Sequence, residues 1–207
     1  MHKEFLVKNL GAPWKSWLHW RVLLIGIGLG LVGAITLWAE MRIPLYPQLN
    51  IAADVREFFV VIGAWYLGPI GGLLTGAVSA AYSPIANPFL HFSSWIAHSL
   101  AGLVLGLVYS PRNDLTARNF VFLWVRAILT YYLVLIVVLI VFISLLVPSF
   151  FLSPDLPGGT VLQNYVVFIS AVLPELGFVL VLTLIGMLAL PKKYRKPLWS
   201  VDKPNNP

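Results

Sequence analysis

The sequence predicts an all-α protein, a polytopic membrane helix bundle of about six transmembrane helices. Three observations predict it. Of 207 residues, 59% are hydrophobic and 11% charged, whereas a soluble domain carries about 25% charged residues to keep its surface in water. The mean hydropathy is +0.85, and the apolar residues gather into several runs of roughly 18 or more, the length that spans a hydrocarbon core of about 30 Å. Those runs show no polar–apolar alternation of the kind a membrane β-barrel needs.

Each element follows from local composition. Residues 1–21 mix Lys3, Lys8, Lys15 and Arg21 with Trp14, Trp17 and Trp20, a mixture suited to an interfacial segment in contact with membrane lipid. No short apolar core with a small-residue cleavage site follows Met1, so no removable signal peptide is expected. The bundle occupies residues 22–190 and a basic tail 191–207. The first span is expected at 22–38, before a polar connection at 40–57. The apolar block 58–82 is interrupted by Leu67-Gly68-Pro69-Ile70-Gly71-Gly72. It reads as two short or tilted helices around a tight turn, because Pro removes a donor and Gly supplies turn geometry. Residues 83–92, with Pro84, Asn87 and Pro88, read as a loop. Further spans are expected at 94–109, 120–147 and 161–190, the last containing Pro174 as a kink.

Basic residues set the orientation. Both ends are rich in Lys and Arg, so both termini are expected in the cytoplasm of a cell-membrane protein, which requires an even number of spans. The connection 110–119, with Arg112 and Arg118, then also faces inward, and residues 40–57, 83–92 and 148–160 face outward.

The few polar groups carry the chemistry. Glu40, Arg42, Asp54, Arg56 and Glu57 cluster at the outer ends of the first two spans. Charges there either meet water in a loop or line a wet pocket. Asp54 and Arg56 open a span directly and are the charges expected to bind a solute. Glu175 lies within the last span, where a carboxylate pairs, protonates or touches a hydrated cavity. His91 and His98 stand seven residues apart, about two helical turns and one face. The i, i+4 spacing of zinc helices is missing, so hydrogen bonding rather than metal binding is expected of them. Asn87, with Asn50, Tyr46 and Tyr82, adds donors and acceptors. Substrate binding is thus expected at Asp54, Arg56, Asn87, His91, His98 and Glu175, at the outer end of the bundle. Gly26, Gly30 and Ala34 form successive small-xxx-small steps, which serve packing within the bundle or docking of a partner helix.

Several function classes drop out. Cysteine is absent, which removes disulfides, thiolate nucleophiles and cysteine-ligated metals. No Walker motif, dinucleotide fingerprint or Ser-His-Asp arrangement occurs, so neither an enzyme nor a motor is expected, and no cofactor. The net charge of +6 sits at helix ends without interleaved exposed aromatics, so nucleic acid is not an expected partner.

Asp54-Val55-Arg56, Gly63, the run from Leu67 to Gly76 (Leu-Gly-Pro-Ile-Gly-Gly-Leu-Leu-Thr-Gly) and Ala101-Gly102-Leu103-Val104-Leu105-Gly106-Leu107 resemble two membrane families. One is the substrate-binding S component of energy-coupling factor (ECF) transporters. The other is the multi-span sensor domain of LytS-type histidine kinases, in which an acidic-x-Arg step precedes a similar Gly-Pro run. The first resemblance implies a six-helix, vitamin-binding subunit that works with a transmembrane coupling protein and two ATPases, and docks through a small-residue stripe on its first span. The second implies a ligand sensor signalling through a partner. The short tail favours the transporter, since no output domain is expected after the last span. Many S components carry an acid after the glycines of the third span, where this chain reads Ala77-Val78-Ser79-Ala80-Ala81-Tyr82.

Overall fold

The computed structural model describes residues 18–39, 41–46, 51–82, 88–108, 117–146 and 161–189. Among them the chain forms α1 (Trp20–Trp38), β1 (Arg42–Tyr46), β2 (Ile51–Asp54), α2 (Arg56–Ser79), α3 (Pro88–Val108), α4 (Ala117–Leu146) and α5 (Val161–Ala189). The protein is all-α but for one small β-hairpin, and four helices, α1 to α4, are long and apolar enough to cross a membrane. Residues 1–17 of the expected interfacial segment 1–21, the tail 191–207 and most of the expected loops lie outside the described residues, as do Glu40, Asn50 and Asn87, and α1 already begins at Trp20 within that segment.

The polar connection between the first two helices departs from the expected loop. It holds β1 and β2, paired antiparallel with Arg42 opposite Asp54 and Pro44 opposite Ala52, and with an irregularity between Pro44 and Tyr46. A proline has no N–H to give to a ladder, so register breaks beside it. Asp54 ends β2, and its carboxylate Oδ1 accepts the Arg56 N–H at 2.9 Å. That turn starts α2 at Arg56, ahead of the expected 58. Likewise α3 begins at Pro88 instead of residue 94, a proline being well placed in a first helical turn, where its missing N–H costs nothing. Pro174 does not end α5, which runs on through it.

α2 is not a straight rod. Gly68 has φ 74° and ψ −163°, a conformation that only glycine adopts without strain, and Pro69 follows. The chain folds back there. A Cβ placed on Gly63 would lie 2.9 Å from Thr75 Cβ, and one on Gly72 would lie 2.8 Å from Ala64 Cβ. Twelve residues of straight helix would separate the first pair by about 18 Å. The interrupted apolar block is therefore a helical hairpin with arms 56–67 and 69–79.

The rest of the fold packs around this hairpin through glycine. Gly26, Gly30 and Gly33 of α1 face the second arm: a Cβ on Gly26 would stand 3.4 Å from Leu74 Cβ, and one on Gly30 2.6 Å from Val78 Cβ. Thr75 Oγ1 donates to the Gly26 carbonyl at 3.1 Å. The expected docking stripe is thus turned inward. Gly26 and Gly30 are buried against the chain's own second helix, because small residues let two backbones approach wherever the nearest helix happens to be. Ala34 is only partly covered. On the other side, α3 runs antiparallel to the second arm, with Gly76 against the His98 backbone, Gly72 against Gly102 and Pro69 against Gly106. Trp65, Trp124, Ile128, Tyr131, Val179 and Met187 form the buried core beyond. Trp65 meets Trp124 edge-on at 4.3 Å between ring centroids, and Trp124 Nε1 donates to Thr183 Oγ1 at 3.0 Å. The outward faces of α1 and α4 carry exposed Leu24, Leu31 and Ile35, and Phe122, Leu129 and Leu133, as a lipid-facing bundle requires.

Candidate functional site

In a chain with eight acidic residues, three of them converge on one arginine. Asp54 stands at the end of β2, Arg56 and Glu57 open α2, His98 comes from α3, Tyr131 and Tyr132 from α4, and Glu175 from α5. The local sequence explains the convergence. The Asp54 turn points Arg56 and Glu57 into the bundle from the first turn of α2, and the Arg56 stem lies beside Gly33 of α1, where a Cβ would stand 3.5 Å from Arg56 Cγ, an ordinary contact. The close approach of Gly76 to the α3 backbone brings His98 within reach of Glu57.

Arg56 Nη2 lies 2.9 Å from Asp54 Oδ2 and 4.0 Å from Glu57 Oε1. The Asp54 N–H donates to Glu175 Oε1 at 2.9 Å, which ties the β-hairpin to α5. Glu57, 2% exposed, accepts at Oε2 from the Tyr131 hydroxyl and faces His98 Nε2 at 2.6 Å through Oε1. His98 Nδ1 lies 2.6 Å from the Ser94 carbonyl, which can only accept. That nitrogen therefore carries a hydrogen, and the other nitrogen meets a carboxylate oxygen. One further proton must sit between Glu57 and His98, whichever of the two owns it.

Not every donor is spent. Arg56 Nε and Nη1 and the Tyr132 hydroxyl are buried and hydrogen-bond to none of the described residues. Buried polar groups are nearly always paired, so each such atom calls for a partner. No three His, Asp or Glu side chains are grouped to hold a metal ion among the described residues.

His98, Tyr131 and Glu175 stand at the midpoints of α3, α4 and α5, about 15–21 Å from either helix end, while Arg56 and Glu57 open α2 at the end of the hairpin away from Gly68. Asp54, Arg56, His98 and Glu175 come together as expected candidates. His91 does not join them: its Nε2 donates to the Ala80 carbonyl at 3.1 Å, closing the end of the second arm. Asn87 lies outside the described residues. Glu57, the hub of the network, opens the same span as Asp54 and Arg56, whose side chains the sequence turns into the bundle, but it is not among the expected binding residues. Tyr131 and Tyr132 were not singled out, although two adjacent hydroxyls inside a long apolar span were a signal, since a buried tyrosine seeks a partner for its O–H.

No curated protein and no solved structure matches the chain. A family model described as ECF-type riboflavin transporter, S component, matches residues 19–196, which takes in every described helix and the whole cluster. Of the two resemblances carried by the Gly-Pro run, this match selects the transporter over the kinase sensor. The chain belongs to the S components of ECF-type riboflavin transporters.

Proposed function

We propose that this S component captures riboflavin at the Asp54–Arg56–Glu57–His98–Glu175 cluster and hands it on for uptake. The observation that carries the reading is the buried guanidinium of Arg56, with two nitrogens unbonded to any described residue, inside a family named for this vitamin. The chemistry is complementary. Carbonyl oxygens and ring nitrogens of a flavin accept from Arg56 and from the Tyr132 hydroxyl, while its ribityl hydroxyls and ring N–H donate to Asp54 and Glu175. A few convergent polar groups within an aromatic, apolar surround are what a small-molecule site needs. Binding itself requires no catalysis, and the subunit is not an enzyme.

The arms of α2 give the bundle six helical segments of alternating direction, which supports a topology with both termini in the cytoplasm. Energy comes from a transmembrane coupling protein and ATPases in this reading, since the sequence has no nucleotide motif of its own.

The test is a titration of purified protein by quenching of riboflavin fluorescence, with Arg56→Lys beside the unaltered chain. Lysine keeps a cation for Asp54 but loses the planar fork. Two lost hydrogen bonds at about 0.5–1.5 kcal/mol each predict an affinity lower by roughly five- to a hundredfold. Unchanged affinity in the variant, or no riboflavin binding by the unaltered protein, refutes the placement.

A further inference from the structure

We propose that Arg126, on the outward face of α4, holds the phosphate of an anionic phospholipid at the membrane surface where that helix begins.

The placement of this residue is unusual. Among the described residues, Arg126 is the one exposed charged side chain beyond the first turn of a helix. Its neighbours on the same face, one turn before it and one and two turns after, are Phe122, Leu129 and Leu133, all exposed and apolar. That face meets lipid. A guanidinium keeps its charge in any such setting, and this one forms no ion pair with a described residue. A bare charge against hydrocarbon is costly, so the side chain must reach polar groups beyond it.

Depth and direction show where it reaches. The stretch of α4 apolar enough to cross a membrane is Val121–Leu145, so Arg126 stands five residues, about 7.5 Å, inside it. A helical side chain leans toward the N-terminus of its helix, which here is the nearer surface. Ahead of Val121 the sequence turns polar, with Asp114, Thr116, Arg118 and Asn119. An extended arginine therefore brings its guanidinium up to the headgroups and leaves its methylene stem in the apolar layer.

The chemistry of the occupant follows. At that level a cation meets phosphate, and the planar guanidinium fork takes two phosphate oxygens at once. In phosphatidylcholine the lipid's own ammonium already answers the phosphate. Phosphatidylglycerol leaves that charge free, so it is the better partner. In the topology proposed above this surface is cytoplasmic, where anionic lipids attract basic residues.

The chain has no cysteine, so a single thiol-linked fluorophore can be placed at Phe122→Cys, one turn from Arg126, in vesicles of phosphatidylcholine. Phosphatidylglycerol and phosphatidylcholine with brominated acyl chains, which quench on contact, are then compared at rising mole fraction. We expect phosphatidylglycerol to reach the label roughly fivefold better, the factor for one basic residue beside an anionic surface. Arg126→Gln should take the ratio most of the way to one, and Arg126→Lys, which keeps the charge, should retain most of it. The same label at Val137→Cys, exposed on the same face about 16 Å farther along the helix, should show no preference in any of these chains. Equal quenching by the two lipids at position 122 overturns the proposal and points to a carboxylate of a partner protein as the counterion. A preference that Arg126→Gln leaves intact, that Arg126→Lys abolishes, or that is as large at position 137 overturns it too.

Discussion

Glu57 offers the sharpest test of the network. Its carboxylate takes a hydrogen bond from Tyr131, shares a proton with His98 at 2.6 Å and lies 4.0 Å from the Arg56 guanidinium, all within the bundle interior. In Glu57→Ala these three groups lose their common acceptor and remain buried. Removing one partner of a buried, hydrogen-bonded charge pair costs about 3–5 kcal/mol. Glu57→Gln is a different perturbation. Its amide N–H can donate to His98 Nε2, its carbonyl can accept from Tyr131, and His98 Nδ1 still donates to Ser94, so the network closes with neutral groups and one proton fewer. The loss is then confined to the exchange of charge-assisted for neutral bonds, about 1–2 kcal/mol. Unfolding of detergent-solubilised protein by added SDS, followed by fluorescence of its eight tryptophans, measures both. If glutamine destabilises as much as alanine, or if alanine costs under about 1 kcal/mol, Glu57 does not organise the cluster in the way described.

Two further predictions concern the scaffold. Gly72→Ala should destabilise by about 1–3 kcal/mol in the same unfolding assay, because the new methyl would press on Ala64 Cβ and on the Gly102 backbone. Gly28→Ala and Gly177→Ala, where a Cβ meets nothing within 4 Å, should be neutral or stabilising by up to about 1 kcal/mol through helix propensity; equal effects at the three sites would mean that the hairpin and α3 are not in close contact. The chain has no cysteine, so single cysteines report topology without background. Cysteines replacing Asn9, Asn113 and Asn205 should react from the cytoplasmic side and those replacing Asn87 and Ser153 from outside, and labelling of position 205 from outside would overturn the orientation.

Much of this could be read from composition and spacing, because a membrane imposes its demands one segment at a time. Apolar runs long enough to span hydrocarbon marked the helices, and the Gly68-Pro69 step marked a break that needs no distant partner to exist. Asp54, Arg56, His98 and Glu175 stood out for the same reason: ionisable groups in an apolar chain are costly wherever they fall. What the sequence could not show was which of them meet. Glu57 and Tyr131 are 74 residues apart, and Asp54 and Glu175 121, so their pairing depends on how five elements pack and on no local pattern. The same holds for the glycine stripe of α1. Its spacing announces that a helix will come close, but whether that helix belongs to this chain or to a partner is decided only when α2 folds back at Gly68 and presents Gly71, Leu74, Thr75 and Val78 to it. The meeting of the charges too was a tertiary result: the turn at Asp54 and the fold-back of α2 at Gly68 set Arg56 and Glu57 against the midpoints of α3, α4 and α5.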